Sequence, residues 1–172
     1  MALDLDVLLE DPAWTDALPD AEALCRRAVE AALAELHAAG ATLPAEAGLA
    51  LVLADDAMVQ QLNRDWRGKD RPTNVLSFPD GDAVPGGPVM LGDIVIARET
   101  TAREAMDESK NLGDHLAHLV VHGVCHLLGF DHQEDADATR MEDLERAALA
   151  RLGVADPYGS NDGSGDERPT GQ

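Results

Sequence analysis

The sequence predicts an α/β (α+β) domain in which a small mixed β-sheet of about four strands packs against about five helices. Three observations point there. Four short runs, alternating or almost wholly apolar, have strand length and are bounded by turn residues. Four longer stretches repeat apolar residues at helical spacing and a fifth reads as a polar helix, and these five are unevenly placed among the strands. A chain of 172 residues with 45% hydrophobic content can bury one core, and with only 3% aromatics that core must be built from Leu, Val and Ala.

The elements follow in order. "LDLDVLLE" alternates, with Leu3, Leu5, Val7 and Leu9 on one face of a half-buried strand. Pro12 and Pro19 bracket a loop. Over 20–39, Cys25, Val29, Ala32, Leu33 and Leu36 recur at helical spacing, and Gly40 stands at the C-terminal cap. "AGLALVLA" (47–54) suits a strand buried on both faces. Asp55 or Asp56 caps a helix carrying Met58, Leu62 and Trp66. "NVLSF" is a short strand stopped by Pro79, and "LGDIVIA" is another, beyond a Gly/Pro-rich loop. Asp93, set among apolar residues in that strand, should be paired, within the cleft. A polar helix runs over about 98–109, and Asn111 or Asp114 opens a very apolar one that ends at Gly129. A last helix, about 136–152, buries Met141, Leu144, Ala148 and Leu152. Residues 1–158 are read as a single domain and 159–172 as a disordered acidic tail.

The net charge of −20 disfavours nonspecific attraction to polyanions, an objection any nucleic-acid reading must answer. The N-terminus has no basic stretch followed by an apolar one, so no secretory signal is expected. No apolar run approaches the ~18 residues that cross a bilayer, so no membrane partner is expected. Cys25 and Cys125 form no disulfide framework, and a reduced, cytoplasmic protein is the simplest reading.

Five of the six histidines fall between positions 115 and 132. At about 100° per residue, His115, His118, His122 and His126 share one stripe of the apolar helix. His122 and His126, one turn apart, can converge on one ion. Gly129 can adopt the left-handed conformation that stops the helix, and the chain then reverses to bring His132 back to the same ion. Three protein ligands leave a zinc position open, the catalytic arrangement. His115 and His118 fall to the cleft wall or behind the ligands. Cys125 could be a thiolate ligand, but a small buried core residue is preferred. In HExxH peptidases the residue after the first histidine is the glutamate that serves as general base; here it is Gly123. Metal-activated water can still supply hydroxide, but ordinary peptidase chemistry is disfavoured.

"NRDWRGKDRPTNVLSFP" holds four of the thirteen basic residues, Arg64, Arg67, Lys69 and Arg71. Near a Lewis-acidic ion these suit an anionic, phosphate-bearing substrate; alternatively they form a solvated loop paired with Asp65 and Asp70. "NVLSF" anchors the loop in the sheet and favours the first reading.

"WRGKDRPTNVLSFP", "LGDIVI" and "HLVVHGVCHLLGFDH" together resemble the YbeY family of bacterial endoribonucleases, over about Leu49 to Tyr158. The first ~45 residues add little to it. The resemblance implies a zincin-like fold with Zn2+ on His122, His126 and His132, and an essential arginine at Arg67. It implies cleavage of single-stranded rRNA precursor, small-subunit rRNA 3′-end maturation and ribosome quality control. Small-subunit ribosomal proteins and an assembly GTPase are the implied protein partners. Phe130 stands where the family usually has Tyr, and Cys125 where it usually has Leu; neither is an expected ligand. On this reading Arg64, Lys69 and Arg71 hold flanking phosphates. Asp131 orients a ligand imidazole or serves only the turn, and His118 supports the ligands from behind. Other divalent metals suit three imidazoles as well. A metallopeptidase and a non-catalytic ribosome-assembly factor with a structural metal are the rival readings.

Overall fold

A computed structural model describes residues 1–80, 87–130 and 135–158. Among them are four strands, β1 (Ala2–Leu9), β2 (Glu46–Ala54), β3 (Val75–Pro79) and β4 (Val89–Ala97). Six helices accompany them: α1 (Ala13–Ala17), α2 (Ala21–Ala38), α3 (Asp56–Arg67), α4 (Arg98–Asp107), α5 (Leu112–Leu127) and α6 (Asp135–Arg151). The strands form one sheet in the order β1-β2-β4-β3. β1, β2 and β4 run parallel and β3 pairs antiparallel to β4, so the sheet is mixed, as the sequence predicts.

The sixth helix is the addition. α1 lies between Pro12 and Pro19, where a loop is expected, and is too short to show a period. Its anchor is Trp14, fully buried, whose indole N–H donates to the Ala54 carbonyl at 2.9 Å. Asp55 caps α3 by accepting from the Met58 N–H, and Asn111 caps α5 by accepting from the Asp114 N–H.

The main core lies between one face of the sheet and α2, α5 and α6. Leu49, Leu51 and Leu53 of β2 point into it and are buried. Their neighbours Ala50 and Val52 are only half-buried, against the expectation of a strand covered on both faces. The reason is that the second face is covered at one end only, by a small cluster built on Val59, Leu76 and Val95. β1 shows a related departure: Leu5 is buried, while Leu9, past the cover of the helices, is 46% exposed.

Candidate metal centre and its cleft

Between His115 and Leu127, only His118, His122 and His126 of α5 are not buried, so the histidine stripe is the accessible line of an otherwise enclosed helix. The rings of His122 and His126 lie 4.5 Å apart, centroid to centroid, at 78°. α5 stops as its sequence requires. Gly129 has φ +97°, its N–H bonds the His126 carbonyl, and the Phe130 N–H reaches back to the Cys125 carbonyl. That pair of bonds is a left-handed glycine stop. His132 and Asp131 lie outside the described residues, as does the 159–172 segment.

The residue that organises the stripe is one the sequence reading missed. Glu145 of α6 is fully buried. Its Oε2 accepts from His122 Nδ1 at 2.8 Å, and its Oε1 from His118 Nε2 at 3.0 Å and from the Tyr158 hydroxyl at 2.5 Å. Burial alone would raise its pKa, but the hydrogen bonds of His118 and His122, helped by the Tyr158 hydroxyl, hold the carboxyl at about 2. An ionised carboxylate only accepts, so both imidazole nitrogens facing it carry hydrogen. His122 is therefore set in the tautomer that leaves Nε2 as the nitrogen able to take a metal. His118 has turned Nε2 to Glu145, and its Nδ1 is buried without a partner among the described residues. It lines a neighbouring cavity with His115 and His122, and not the cleft that holds His126. His115 is buried too, and its Nε2–H donates to Glu104 Oε1 at 2.9 Å, the same oxygen that accepts from the Asn74 side chain at 2.9 Å. Cys125 is buried and its thiol pushed up to about 12, mainly by burial, which suits a core residue and not a thiolate ligand.

Gly123 has a reason of its own. A Cβ there would lie 3.0 Å from Cδ1 and Cγ2 of Ile94, so α5 meets β4 through a bare backbone at this point. The position faces the sheet and not the cleft, so a glutamate placed there has no route to the histidines. Gly123→Glu is expected to destabilise the fold by more than the ~1–3 kcal/mol of simple overpacking, since it also buries a charge. Thermal unfolding checks this, and no peptidase activity should appear.

Opposite the histidines stands the cationic loop. α3 ends at Gly68, left-handed at φ +71°, and the buried Asn63 side chain holds the loop by donating to the Arg71 carbonyl at 2.9 Å. This places Arg67 against β3, an edge strand, where its Nη2 donates to the Ser77 carbonyl at 3.1 Å. Arg67, Asn74, Val75, Ser77, Pro79, His122 and His126 line one cleft of about 300 Å³. Arg64 is exposed and pairs with Asp65 at 3.4 Å and Asp70 at 3.7 Å, while Lys69 and Arg71 are exposed and make no ion pair among the described residues. None of these three lines the histidine cleft. Asp93 departs from its expected pairing in the cleft: it is exposed, its side chain makes no hydrogen bond among the described residues, and it lines a groove that does not include the histidines. Partial burial, then Asp80, raises its carboxyl, and access to water makes a partner unnecessary.

Over residues 13–153 the chain matches the family model described as Endoribonuclease YbeY. The chain belongs to the YbeY family. The match begins well before Leu49, so the N-terminal stretch that lacks recognisable motifs is part of the family domain as well. An Endoribonuclease YbeY of Paramagnetospirillum magneticum is 52% identical over 164 residues, covering 92% of this chain and 98% of the relative. One of Rhodopseudomonas palustris is 53% identical over 161 residues, covering 91% and 93%. The solution structure of TM1509 from Thermotoga maritima is similar in fold, with a TM-score of 0.53 at 22% identity, over 92% of this chain and 98% of that one.

Within this YbeY-family site, Glu145 had a signal in the sequence. It stands four residues after Met141 and three before Ala148, a carboxylate on an otherwise apolar stripe, and a charge buried there needs partners. Tyr158 had none beyond its place at the end of the domain. It reaches Glu145 because Asp156 accepts from its N–H at 2.8 Å and Arg146 binds the Asp156 carboxylate at 3.0 and 3.1 Å.

Proposed function

We propose that the chain is a zinc-dependent, single-strand-specific endoribonuclease that acts in small-subunit rRNA 3′-end maturation and ribosome quality control, in the cytoplasm. The observation that carries this reading is one cleft holding a metal-competent histidine pair, its tautomer set by a buried carboxylate, and facing it an arginine that suits phosphate. Curated relatives named Endoribonuclease YbeY, about half identical over most of the chain, support the reaction class.

His122 and His126 would hold the ion, with His132 as the third ligand, a neutral imidazole set that suits zinc and also accepts other divalent metals. When bound, the ion supplies Lewis acidity toward the phosphodiester and its nucleophile, water or the substrate 2′-hydroxyl. The chain does the rest. Glu145 holds His122 in its ligand tautomer. Arg67, one N–H fixed on the Ser77 carbonyl, has further N–H donors for a phosphoryl oxygen and stabilises the charge that develops there. Lys69 and Arg71, with Arg64 beyond them, would attract flanking phosphates. Against a net charge of −20 this cationic corner gives weak intrinsic RNA affinity, so small-subunit ribosomal proteins and an assembly GTPase would deliver the rRNA precursor.

Chelation followed by zinc add-back, on matched single-stranded and duplex RNA, tests the reading. Cleavage should vanish and return, act on the single strand alone, and weaken as salt rises through loss of phosphate contacts. Cleavage that persists through chelation, or tight and salt-indifferent RNA binding, contradicts it.

A further inference from the structure

The sheet face opposite α2, α5 and α6 carries a larger cavity, about 640 Å³, that the cleavage chemistry does not use. Ala50, Val52 and Val95 line it from the sheet, and the α3 stripe Met58, Leu62 and Trp66 forms its wall. The sequence places Trp66 on the apolar side of α3, yet it is 74% exposed, whereas Trp14 is fully buried. An indole left open at the mouth of an apolar groove marks a surface that takes a ligand.

The neighbours identify the ligand class. Arg67, Ser77 and Pro79 line both this groove and the histidine cleft, so the two meet around the edge strand β3. Arg67 also lies 5.7 Å from the centre of the Phe78 ring, placing a cation and two aromatic residues at one corner. Cationic side chains interleaved with exposed aromatics are how proteins hold unpaired strands: the cations take phosphates and the rings stack on bases. Asp93, inside the groove, repels phosphate and can accept from an exocyclic amino group, so a base and not the backbone is what enters.

Resting on the endoribonuclease reading, we infer that Trp66 and the groove beneath it form a base-binding subsite for a nucleotide flanking the one whose phosphate Arg67 holds. An RNA strand then crosses the edge of the sheet, its reacting phosphate on the histidine side and a neighbouring base stacked on Trp66. A duplex cannot present its bases this way, which gives single-strand specificity a physical source.

Intrinsic fluorescence tests the subsite directly, because Trp14 is buried and a change on binding reports Trp66. The probes are a 2′-O-methyl oligoribonucleotide and an abasic oligonucleotide of equal length, titrated at low salt. The base-bearing strand should quench and saturate, the abasic strand should not, and Trp66→Ala should bind the base-bearing strand about tenfold more weakly. Trp66→Phe should recover most of that affinity, followed by fluorescence anisotropy of a labelled strand. Equal binding of the two strands, or wild-type affinity in Trp66→Ala, overturns the subsite. Wild type that cleaves RNA with no quench also overturns it and leaves the nuclease reading standing. Base-dependent quench in a zinc-loaded chain that cleaves nothing supports the subsite and overturns the nuclease reading.

Discussion

Glu145→Ala is expected to cost about 3–5 kcal/mol of folding stability, because it leaves the half-buried donors of His118, His122 and Tyr158 without their shared acceptor. For a chain of this size that is a fall in Tm of about 6–20 °C. Glu145→Gln is milder but still puts an amide N–H against an imidazole or phenol donor, so one bond becomes a clash. Either change frees His122 to turn or to adopt the other tautomer, and zinc affinity should fall by about 10–100-fold, read by competition with a chromophoric chelator. The pH dependence has a definite sign. The folded carboxyl titrates at about 2, below an unfolded glutamate. Its stabilisation is thus complete above the ordinary carboxylate range and is lost as pH falls through about 2. Acid unfolding of wild type should include that step, and Glu145→Gln should lack it.

Arg67→Ala should cut RNA cleavage by about 10²–10³-fold, the usual loss when a donor aimed at developing charge is removed. The fold should barely register the change, because Arg67 is exposed and its side chain makes one hydrogen bond among the described residues, to the Ser77 carbonyl, worth about 1 kcal/mol. Zinc content should not change, since the Arg67 side chain bonds the Ser77 carbonyl and neither His122 nor His126. Arg67→Lys should recover only part of the rate, for an ammonium lacks the planar fork that can keep one N–H on Ser77 and offer others to phosphate. Full cleavage by carefully purified Arg67→Ala would remove Arg67 from the chemistry; no cleavage by equally pure wild type would favour an assembly factor whose metal is structural.

The parts of the site that sequence makes visible are those carried by local spacing. His122, His126 and the glycine stop at Gly129 lie within one helix and its end, where 3.6-residue periodicity and the need for positive φ can be read directly. The four strands and five longer helices follow from the same periodicities. What escaped depends on contacts between distant elements. Glu145 reaches His122 only because α6 packs on α5, and Tyr158 reaches Glu145 only through the Arg146–Asp156 pair. Trp66 escaped for the opposite reason: an apolar stripe on a helix does not disclose that the sheet face beneath it is partly uncovered. Gly123, read as a missing base, is explained by the close approach of α5 to Ile94.

In the proposed reaction a metal held by the α5 histidines and a charge held by Arg67 act on one RNA phosphodiester. Elemental analysis and single-strand RNA cleavage, measured side by side on wild type, His126→Ala and Arg67→Ala, test it most directly. The expected result is about one metal per chain in wild type and Arg67→Ala, depleted metal in His126→Ala, and cleavage in wild type alone. Undiminished metal and cleavage in His126→Ala would contradict it.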